Sequence, residues 1–309
     1  MSEHVVAVED VCAVVVTYHP DAELPIRLRG IAQQVARVVI VDNGSSDAEV
    51  AILCEIAVDP PVVLVLNGEN LGLACALNIG IQRAALLGFS WALLLDQDSR
   101  VEGDMVTTLI AVYRAFPDKE HLAIIGSGFR ERHRRSPKAA KFEFSGEEWD
   151  EVKEVITSGS LVSLKAYSNI GPFREEFFID YVDSEYCVRA TAKGYRALKT
   201  RRPLMSHSIG RPTQHRLLWM KKWTSNHSPD RRYYIARNHT VMLRESGKYI
   251  LGSWALISLL SCWTAWKRIA LYEESKASKI AAVFFGWWDG IQGNMGPRRG
   301  KHTRASAPV

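Results

Sequence analysis

Four short, uninterrupted apolar runs in the first hundred residues constrain the fold of this chain more than any other feature. They are rich in Val, Ile and Leu, and they cover residues 11–16, 38–41, 62–66 and 91–95. Runs of this length without polar alternation are typical of strands buried on both faces, as in a parallel sheet flanked by helices. A segment with a partly apolar helical face, residues 75–87, lies between the last two runs. The pattern predicts an α/β domain.

Polar or turn-forming residues follow each of these runs. In sheets of this kind, ligands bind beyond the carboxyl ends of the strands. We therefore expect the four polar clusters to meet at one rim of the sheet. The clusters begin at Thr17, at Asp42-Asn43-Gly44, at Asn67-Gly68 and at Asp96-Gln97-Asp98.

Two carboxylates separated by one residue, Asp96 and Asp98, end the fourth run. Carboxylates at the end of a buried strand are costly unless a cation or hydrogen-bond donors neutralise them. The pair therefore indicates a divalent metal, Mg²⁺ or Mn²⁺, together with a phosphorylated ligand. Taken alone, the same pattern also fits a helix cap or a solvated turn.

The ordered set of motifs resembles the family 2 glycosyltransferases, whose catalytic domain is a nucleotide-sugar-binding α/β fold of the GT-A type. The matching pieces are Val15-Val16-Thr17-Tyr18, Val41-Asp42-Asn43-Gly44-Ser45-Ser46-Asp47, Asn70-Leu71-Gly72 with Asn78-Ile79-Gly80, Asp96-Gln97-Asp98 and residues 177–185 with Arg189. The chain also resembles a narrower group, the bacterial rhamnosyltransferases. This resemblance depends on the Asp-Gln-Asp motif, on residues 181–185 and on residues 232–238. The resemblance implies a GT-A fold with a mostly parallel central sheet and a helical C-terminal extension.

The resemblance also implies which residues bind the donor and the metal. Asp42 is expected beside the base, where it would accept a hydrogen bond from the ring N–H of uracil or thymine, and Asp98 is expected to ligate the metal directly. The donor residues expected are Thr17, Asp42, Asn43, Asn70, Gly72, Asn78, Asp96, Arg232 and Arg237, and the metal ligands are Asp98, Asp96 and His207. The alternative for residues 42–47 is a turn with a helix cap. The alternative for His207 is a structural role.

Asp183 is the expected catalytic base, which removes the proton of the acceptor hydroxyl. It aligns with the carboxylate of the family, and it begins a predicted helix that ends at Lys193-Gly194. Asp180 and Glu185 are the rival bases, and an ordinary helix cap is the alternative role for Asp183. The family pattern has a second carboxylate directly before the base, whereas this chain has Val182. One base without a carboxylate nucleophile implies a single displacement with inversion.

The function implied by the resemblance is metal-dependent transfer of L-rhamnose from dTDP-L-rhamnose. The acceptor would be a hydroxyl of a glycan or of a polyprenyl-diphosphate-linked glycan, in bacterial cell-surface polysaccharide synthesis such as that of O-antigen. A family 2 enzyme that uses a UDP-hexose is the alternative. A sugar nucleotidyltransferase should have a glycine-rich basic loop after the first strand, where this chain has Thr17-Tyr18-His19-Pro20. A non-catalytic assembly subunit would not need Asp98 and Asp183.

Charge and cysteine content exclude several other classes. The five cysteines among 309 residues are scattered without Cys-x-x-Cys spacing, which argues against a disulfide framework or a structural zinc site. No secretory signal pattern precedes residue 11, so a cytoplasmic protein is expected. The net charge of +5 includes basic clusters suited to anionic lipid or a lipid-linked diphosphate, and no nucleic-acid-binding motif is present.

The sequence changes character in its last quarter. We expect a catalytic domain over residues 1–245, with a donor half to about residue 100 and an acceptor half over 101–245, followed by a helical, apolar extension over 246–309. Residues 249–266 carry no charge and suit an interfacial helix better than a spanning one, and residues 281–288 form a second apolar patch. Contact with the inner face of the cell membrane, packing on the protein, or a homodimer would each cover this region.

Overall fold

The computed structural model describes residues 6–58, 61–131, 148–207, 213–217, 220–224, 226–246, 266–267 and 269–298. The chain forms two compact units. The first comprises Met1–Phe173 and Asp183–Ser208, and the second comprises Arg174–Val182 and Ile209–Val309.

The described part of the first unit contains a nine-stranded mixed sheet. Its strands are β1 (Val11–Thr17), β2 (Arg37–Asp42), β3 (Val62–Leu66), β4 (Trp91–Asp96), β5 (Arg100–Val101), β6 (Leu122–Glu131), β7 (Trp149–Val152), β8 (Ser160–Ser163) and β9 (Arg196–His207). The order is β3-β2-β1-β4-β8-β6-β9-β5, and β7 pairs with β9. The strands β1 to β4 are mutually parallel, whereas β8 runs antiparallel to both β4 and β6.

The helices of the first unit connect these strands. They are α1 (Leu24–Ala32), α2 (Asp47–Ile56), α3 (Leu73–Leu86), α4 (Met105–Ala115), α5 (Leu164–Ile170) and α6 (Val182–Ala192). The four expected strands and the expected helices at residues 75–87 and 183–193 are confirmed within one or two residues at each end. All seven residues of β1 are buried, as the unbroken apolar run predicts for a central strand.

Close packing of α3 on the sheet depends on Gly80. A Cβ atom at this position would lie 2.2 Å from Val14 Cγ1, so the helix approaches β1 more closely than a residue with a side chain would allow. This contact fixes the distance of α3 from the sheet. It therefore also fixes the position of the first turn of α3, which follows Gly72.

The second unit is organised around two packed helices, α7 (Pro229–Ser246) and α8 (Lys276–Gln292), and a hairpin of β10 (Thr213–Leu217) and β11 (Met220–Thr224). Gly286 and Gly290 bring α8 against the backbone of α7, because Cβ atoms there would lie 2.4 Å from the Tyr233 carbonyl oxygen and 2.8 Å from the Arg237 carbonyl oxygen. The helix α7 therefore belongs to the second unit. The sequence pattern predicts the boundary between the catalytic domain and the C-terminal extension after residue 245. Within the described residues no helix is long and apolar enough to cross a membrane. Of the uncharged segment 249–266, only Trp266 is described.

The strand order has one reversal that matters for function. The chain moves outward from β1 to β2 and β3, and then returns to place β4 on the opposite side of β1. Ligands of open α/β sheets bind at such a switch point, in the crevice beyond the carboxyl ends of the strands.

Candidate active site

The carboxyl ends of β1, β2 and β4 lie side by side at the switch point. Thr17 is in register with Asp42, and Asp96 is in register with Val16. The expectation that the polar clusters meet at one rim is confirmed for these three strands. The loops that follow them are joined by the hydrogen bonds described next.

Asp42 organises the loop after β2. Its Oδ1 accepts hydrogen bonds from Thr17 Oγ1 at 3.0 Å and from Ser45 Oγ at 2.5 Å, and its Oδ2 accepts from the backbone N–H groups of Gly44 and Ser45 at 3.2 and 2.9 Å. Thr17 and Asp42 are both buried. The capped turn that the sequence left open is therefore present, with Ser46 as the residue before α2. The contact of Asp42 with a nucleotide base stays a prediction.

Three asparagines join the loops after β2 and β3. Asn43 Nδ2 donates to Asn70 Oδ1 at 3.0 Å, and Asn43 Oδ1 accepts from Asn67 Nδ2 and from the Leu71 N–H, each at 3.1 Å. Asn70 Oδ1 also accepts from the Gly72 N–H at 3.0 Å. Gly72 has φ of +89°, which favours glycine, and it precedes the first residue of α3. Asn67 also belongs to this network; the sequence places it in the polar cluster after the third strand but not among the expected donor residues.

Asn78 has a structural position. It is 1% exposed, its Nδ2 donates to the Phe173 carbonyl at 2.8 Å, and its Oδ1 accepts from the Tyr167 hydroxyl at 2.7 Å and the Phe173 N–H at 2.9 Å. These bonds satisfy both ends of the amide inside the protein. Asn78 therefore holds the chain at Phe173, and its expected donor contact stays a prediction.

The Asp96-Gln97-Asp98 turn is held from two sides. Gln97 pairs with the backbone of Tyr18, since its Oε1 accepts from the Tyr18 N–H at 2.8 Å and its Nε2 donates to the Tyr18 carbonyl at 3.0 Å. Ser158 Oγ accepts from the Asp96 N–H at 3.1 Å and lies 2.7 Å from Ser99 Oγ. Ser158 therefore supports the turn that carries the two carboxylates.

The carboxylates of Asp96 and Asp98 suit a metal that is shared with a substrate. Both residues are half-buried at the rim. Among the described residues, no group of three His, Cys, Asp or Glu side chains is placed to hold an ion. One or two carboxylates completed by substrate phosphates are the usual Mg²⁺ arrangement, and they need no such cage. The backbone of His207 ends β9 opposite Glu131, and its side chain lies outside the described part of the chain.

Asp183 lies in the first turn of α6, and its two rivals are engaged in ion pairs. Arg189 binds Glu185 through two bonds, Nε to Oε1 at 2.9 Å and Nη2 to Oε2 at 2.8 Å. Asp180 accepts from Arg231 Nε at 3.1 Å and from Arg231 Nη2 at 2.9 Å. Asp183 Oδ1 accepts from the Ser184 N–H at 2.9 Å. Both rivals therefore have arginine partners in fork-like pairs, and the role of Asp183 as the base stays a prediction.

A short segment links the start of α6 to the Asp96-Gln97-Asp98 turn. The Ser184 hydroxyl donates to Glu154 Oε1, and Ser158 on the same segment holds the turn. Four residues span at most about 14 Å, so these two anchor points are close. Glu154 therefore binds the residue that directly follows Asp183. Burial raises the pKa of the Cys187 thiol on α6 to about 12, so this thiol stays protonated.

The loop that leads into Asp183 is held in a strained conformation. Phe178, Asp180 and Tyr181 have φ of +65°, +62° and +64°, a region that side-chain-bearing residues rarely adopt. Asn238 Nδ2 donates to the carbonyls of Phe177 and Ile179 at 2.9 Å and of Asp180 at 2.8 Å. This amide therefore fixes the loop backbone.

Arg237 belongs to the same support, in contrast to its expected donor contact. It is fully buried, and its Nη2 donates to the carbonyls of Glu176 at 2.8 Å and Phe177 at 3.0 Å, while its Nη1 binds the Gly296 carbonyl. Arg232 is also buried, and its Nη2 pairs with Glu273 Oε1. Lys279 Nζ lies 2.9 Å from the other carboxylate oxygen, Glu273 Oε2. Arg232 and Arg237 thus make buried structural contacts, and their expected diphosphate contacts stay a prediction.

Comparisons with known proteins identify the relatives of this chain. The family model described as glycosyl transferase family 2 matches residues 12–170. The dTDP-rhamnosyl transferase RfbF of Shigella flexneri is 30% identical over 305 residues, which cover 94% of this chain and 98% of the relative.

Solved structures show the same fold. The mannosyltransferase PcManGT from Pyrobaculum calidifontis, in complex with GDP-Man and Mn²⁺, has a TM-score of 0.56 and 15% identity, and the match covers 92% of this chain and 88% of that one. S. aureus TarS residues 1–349, in complex with UDP-GlcNAc, has a TM-score of 0.53 and 14% identity, with 92% of each chain covered. The expected GT-A fold is confirmed.

Proposed function

Because the chain belongs to glycosyltransferase family 2, we propose that it transfers L-rhamnose from dTDP-L-rhamnose to an acceptor hydroxyl with inversion. The observation that carries this donor is the 30% identity to a dTDP-rhamnosyl transferase, which extends over 94% of the chain. The proposed acceptor is a glycan or a polyprenyl-diphosphate-linked glycan of the cell surface. A UDP-hexose donor within the same family is the alternative.

In this proposal the donor lies at the switch point of the sheet. Thr17 and Asp42 lie beside the thymine, and the asparagine network of Asn43 and Asn70 holds the loops around the nucleotide. Gly72 lets the start of α3 approach the diphosphate, and the N–H groups of a helix start favour anions. The support for this placement is the shared rim of β1, β2 and β4.

Asp98 is the proposed direct metal ligand, and Asp96 contacts the sugar, the ribose or the metal. We retain His207 as a further candidate ligand, since β9 ends there. When bound, Mg²⁺ or Mn²⁺ would stabilise negative charge on the departing diphosphate. Ser158 and Gln97 keep the two carboxylates in place, so that no reorganisation of this turn is needed during the reaction.

Asp183 is the proposed general base. It takes the proton from the acceptor hydroxyl while the oxygen of that hydroxyl forms the new bond to the anomeric carbon and the bond to the diphosphate breaks. Attack from the face opposite to the leaving group inverts the configuration, so a β-linked donor gives an α-L-rhamnoside. The alignment of Asp183 with the carboxylate of the family pattern supports this choice of base, and its rivals Asp180 and Glu185 each pair with an arginine.

The proposed function is tested by assaying the purified protein with a panel of nucleotide sugars, with and without a chelator. We expect release of dTDP from dTDP-L-rhamnose, dependent on acceptor and lost with chelator. Faster turnover of a UDP-hexose would reject rhamnose as the sugar. Release of pyrophosphate would indicate a nucleotidyltransferase, and release of neither product would indicate an assembly subunit.

Replacing Asn238 with Ala should reduce the turnover number by about 10²-fold, because a shift of about 1 Å in a catalytic group has that effect. The change removes the donor to three carbonyls of the strained loop before Asp183. The Michaelis constant for the donor should change little. Steady-state kinetics with both substrates provides the measurement.

Asn294→Ala is the matched control for this prediction, because Asn294 is an exposed asparagine of the same unit that bonds to Asp289. It should leave turnover unchanged. Equal losses of donor affinity and turnover in Asn238→Ala would show that the amide does not act through the base.

A further inference from the structure

The helix α8 has an exposed side that is strongly apolar. We define its apolar face as Ile280, Phe284, Phe285, Trp288 and Ile291, whose exposed fractions are 36%, 59%, 53%, 53% and 63%. Four of these residues are spaced by four, four and three positions, which places them along one side of a helix. Large apolar residues that cluster in this way on a surface mark an interaction site.

The opposite side of α8 is already occupied. Ala282, Val283, Gly286 and Gly290 are buried, and the two glycines lie against α7. The charged residues of α8 are Lys276 at its start, Lys279, which is buried against Glu273, and Asp289, which accepts from the Tyr233 hydroxyl at 2.7 Å. The apolar face therefore carries no charge along the length of the helix. The packing of α8 on α7 does not use this face.

We propose that the apolar face docks onto the surface of an anionic lipid bilayer, with α8 lying in the plane of the headgroups. Phe, Trp and Ile on one helix face insert at the boundary between headgroups and acyl chains, and Trp favours that depth. This contact is independent of the donor and of the reaction proposed above.

The basic sequence that follows α8 favours an anionic partner. Lys267 and Lys276 are exposed in the same unit. Glu274 is exposed beside Lys276, and Arg298 pairs with Asp230. Residues 290–309 contain no Asp or Glu, and the basic residues that follow Arg298 are Arg299, Lys301 and Arg304. Basic segments next to an amphipathic helix add electrostatic attraction to anionic lipid.

A second copy of the chain fits this face less well than a membrane. A two-fold symmetric interface would place the apolar face of one copy on that of the other. The sequence that follows α8 is basic and has no Asp or Glu, so a second copy of that sequence offers it no complementary charge. An anionic bilayer provides the opposite charge.

Sedimentation with vesicles tests the proposal on the full-length protein. We expect the protein to sediment with vesicles of phosphatidylglycerol and phosphatidylcholine, and to bind pure phosphatidylcholine more weakly. High salt should weaken the binding. The double variant Phe284→Ser/Trp288→Ser should lower the partition coefficient by about 100-fold, because two aromatic side chains lose their burial in lipid.

Leu86→Ser is the matched control, because Leu86 is 80% exposed and lies in the first unit. It should bind vesicles as the unmodified protein does. The double variant should keep its thermal unfolding temperature, since both replaced side chains are exposed. A protein that stays in the supernatant with both kinds of vesicle would overturn the proposal. Unchanged vesicle binding of the double variant would also overturn it. A dimer of the unmodified protein and of Leu86→Ser that becomes a monomer in the double variant would overturn it as well.

Discussion

Replacing Asp183 with Asn should lower the turnover number by about 10²- to 10⁴-fold, the usual contribution of a general base. The amide keeps the size of the side chain but cannot take the proton of the acceptor hydroxyl. The dissociation constant of the donor should remain nearly the same, because the base acts on the acceptor. Turnover is measured by release of nucleoside diphosphate, and donor affinity is measured by calorimetry.

Asp180→Asn is the matched control for this change. Asp180 is three residues away and is held by Arg231, so its replacement breaks an ion pair and leaves the proposed base intact. We expect a smaller loss of turnover than for Asp183→Asn. If Asp180→Asn lost more turnover than Asp183→Asn, Asp180 would be the base. If Asp183→Asn lost donor affinity instead of turnover, Asp183 would belong to the donor site.

Replacing Asp98 with Asn should lower kcat/KM by about 10²- to 10³-fold. Charge stabilisation by a bound metal contributes several kcal/mol, and each 1.4 kcal/mol corresponds to about tenfold in rate. The same variant should lose the enhancement of dTDP binding by Mn²⁺. Calorimetric titration of dTDP with and without Mn²⁺ measures this effect separately from activity.

Asp104→Asn serves as the control for Asp98→Asn, because Asp104 is an exposed carboxylate of the same unit that pairs with Arg202. It should retain both activity and the effect of Mn²⁺. A normal Mn²⁺ effect in Asp98→Asn would remove this residue from the metal site and leave Asp96 as the candidate.

The sheet could be predicted from the sequence because its signals are local. Each of the first four strands is a continuous apolar run that ends in polar residues, and a parallel arrangement places those ends at one rim. The register of Thr17 with Asp42, and of Val16 with Asp96, follows from this arrangement. The family pattern added which of the rim residues to consider.

The roles of Arg232, Arg237 and Asn78 could not be predicted because their partners are distant in sequence. Arg232 pairs with Glu273, Arg237 binds the Gly296 carbonyl, and Asn78 binds Phe173. A sequence gives the chemical type of an arginine or asparagine but not the side of the helix that becomes buried. A buried guanidinium that binds backbone carbonyls looks the same in sequence as one that binds a phosphate.

The contacts of Glu154 and Ser158 could not be predicted for a related reason. They lie on an irregular segment, and their importance comes from contacts with Ser184 and with the Asp96 N–H. The sequence indicated that a carboxylate next to the base was missing at Val182. In the structure the Ser184 hydroxyl, directly after Asp183, donates to Glu154, and no local pattern could indicate this contact between residues 30 positions apart.

A crystal structure of the protein with dTDP-L-rhamnose and Mn²⁺ tests the central claim most directly. We predict thymine beside Thr17 and Asp42, Mn²⁺ bound to Asp98 and to the diphosphate, and Asp183 on the face of the sugar opposite to the leaving group. A nucleotide bound away from the ends of β1 and β4, with Asp96 and Asp98 turned from the metal, would contradict this account.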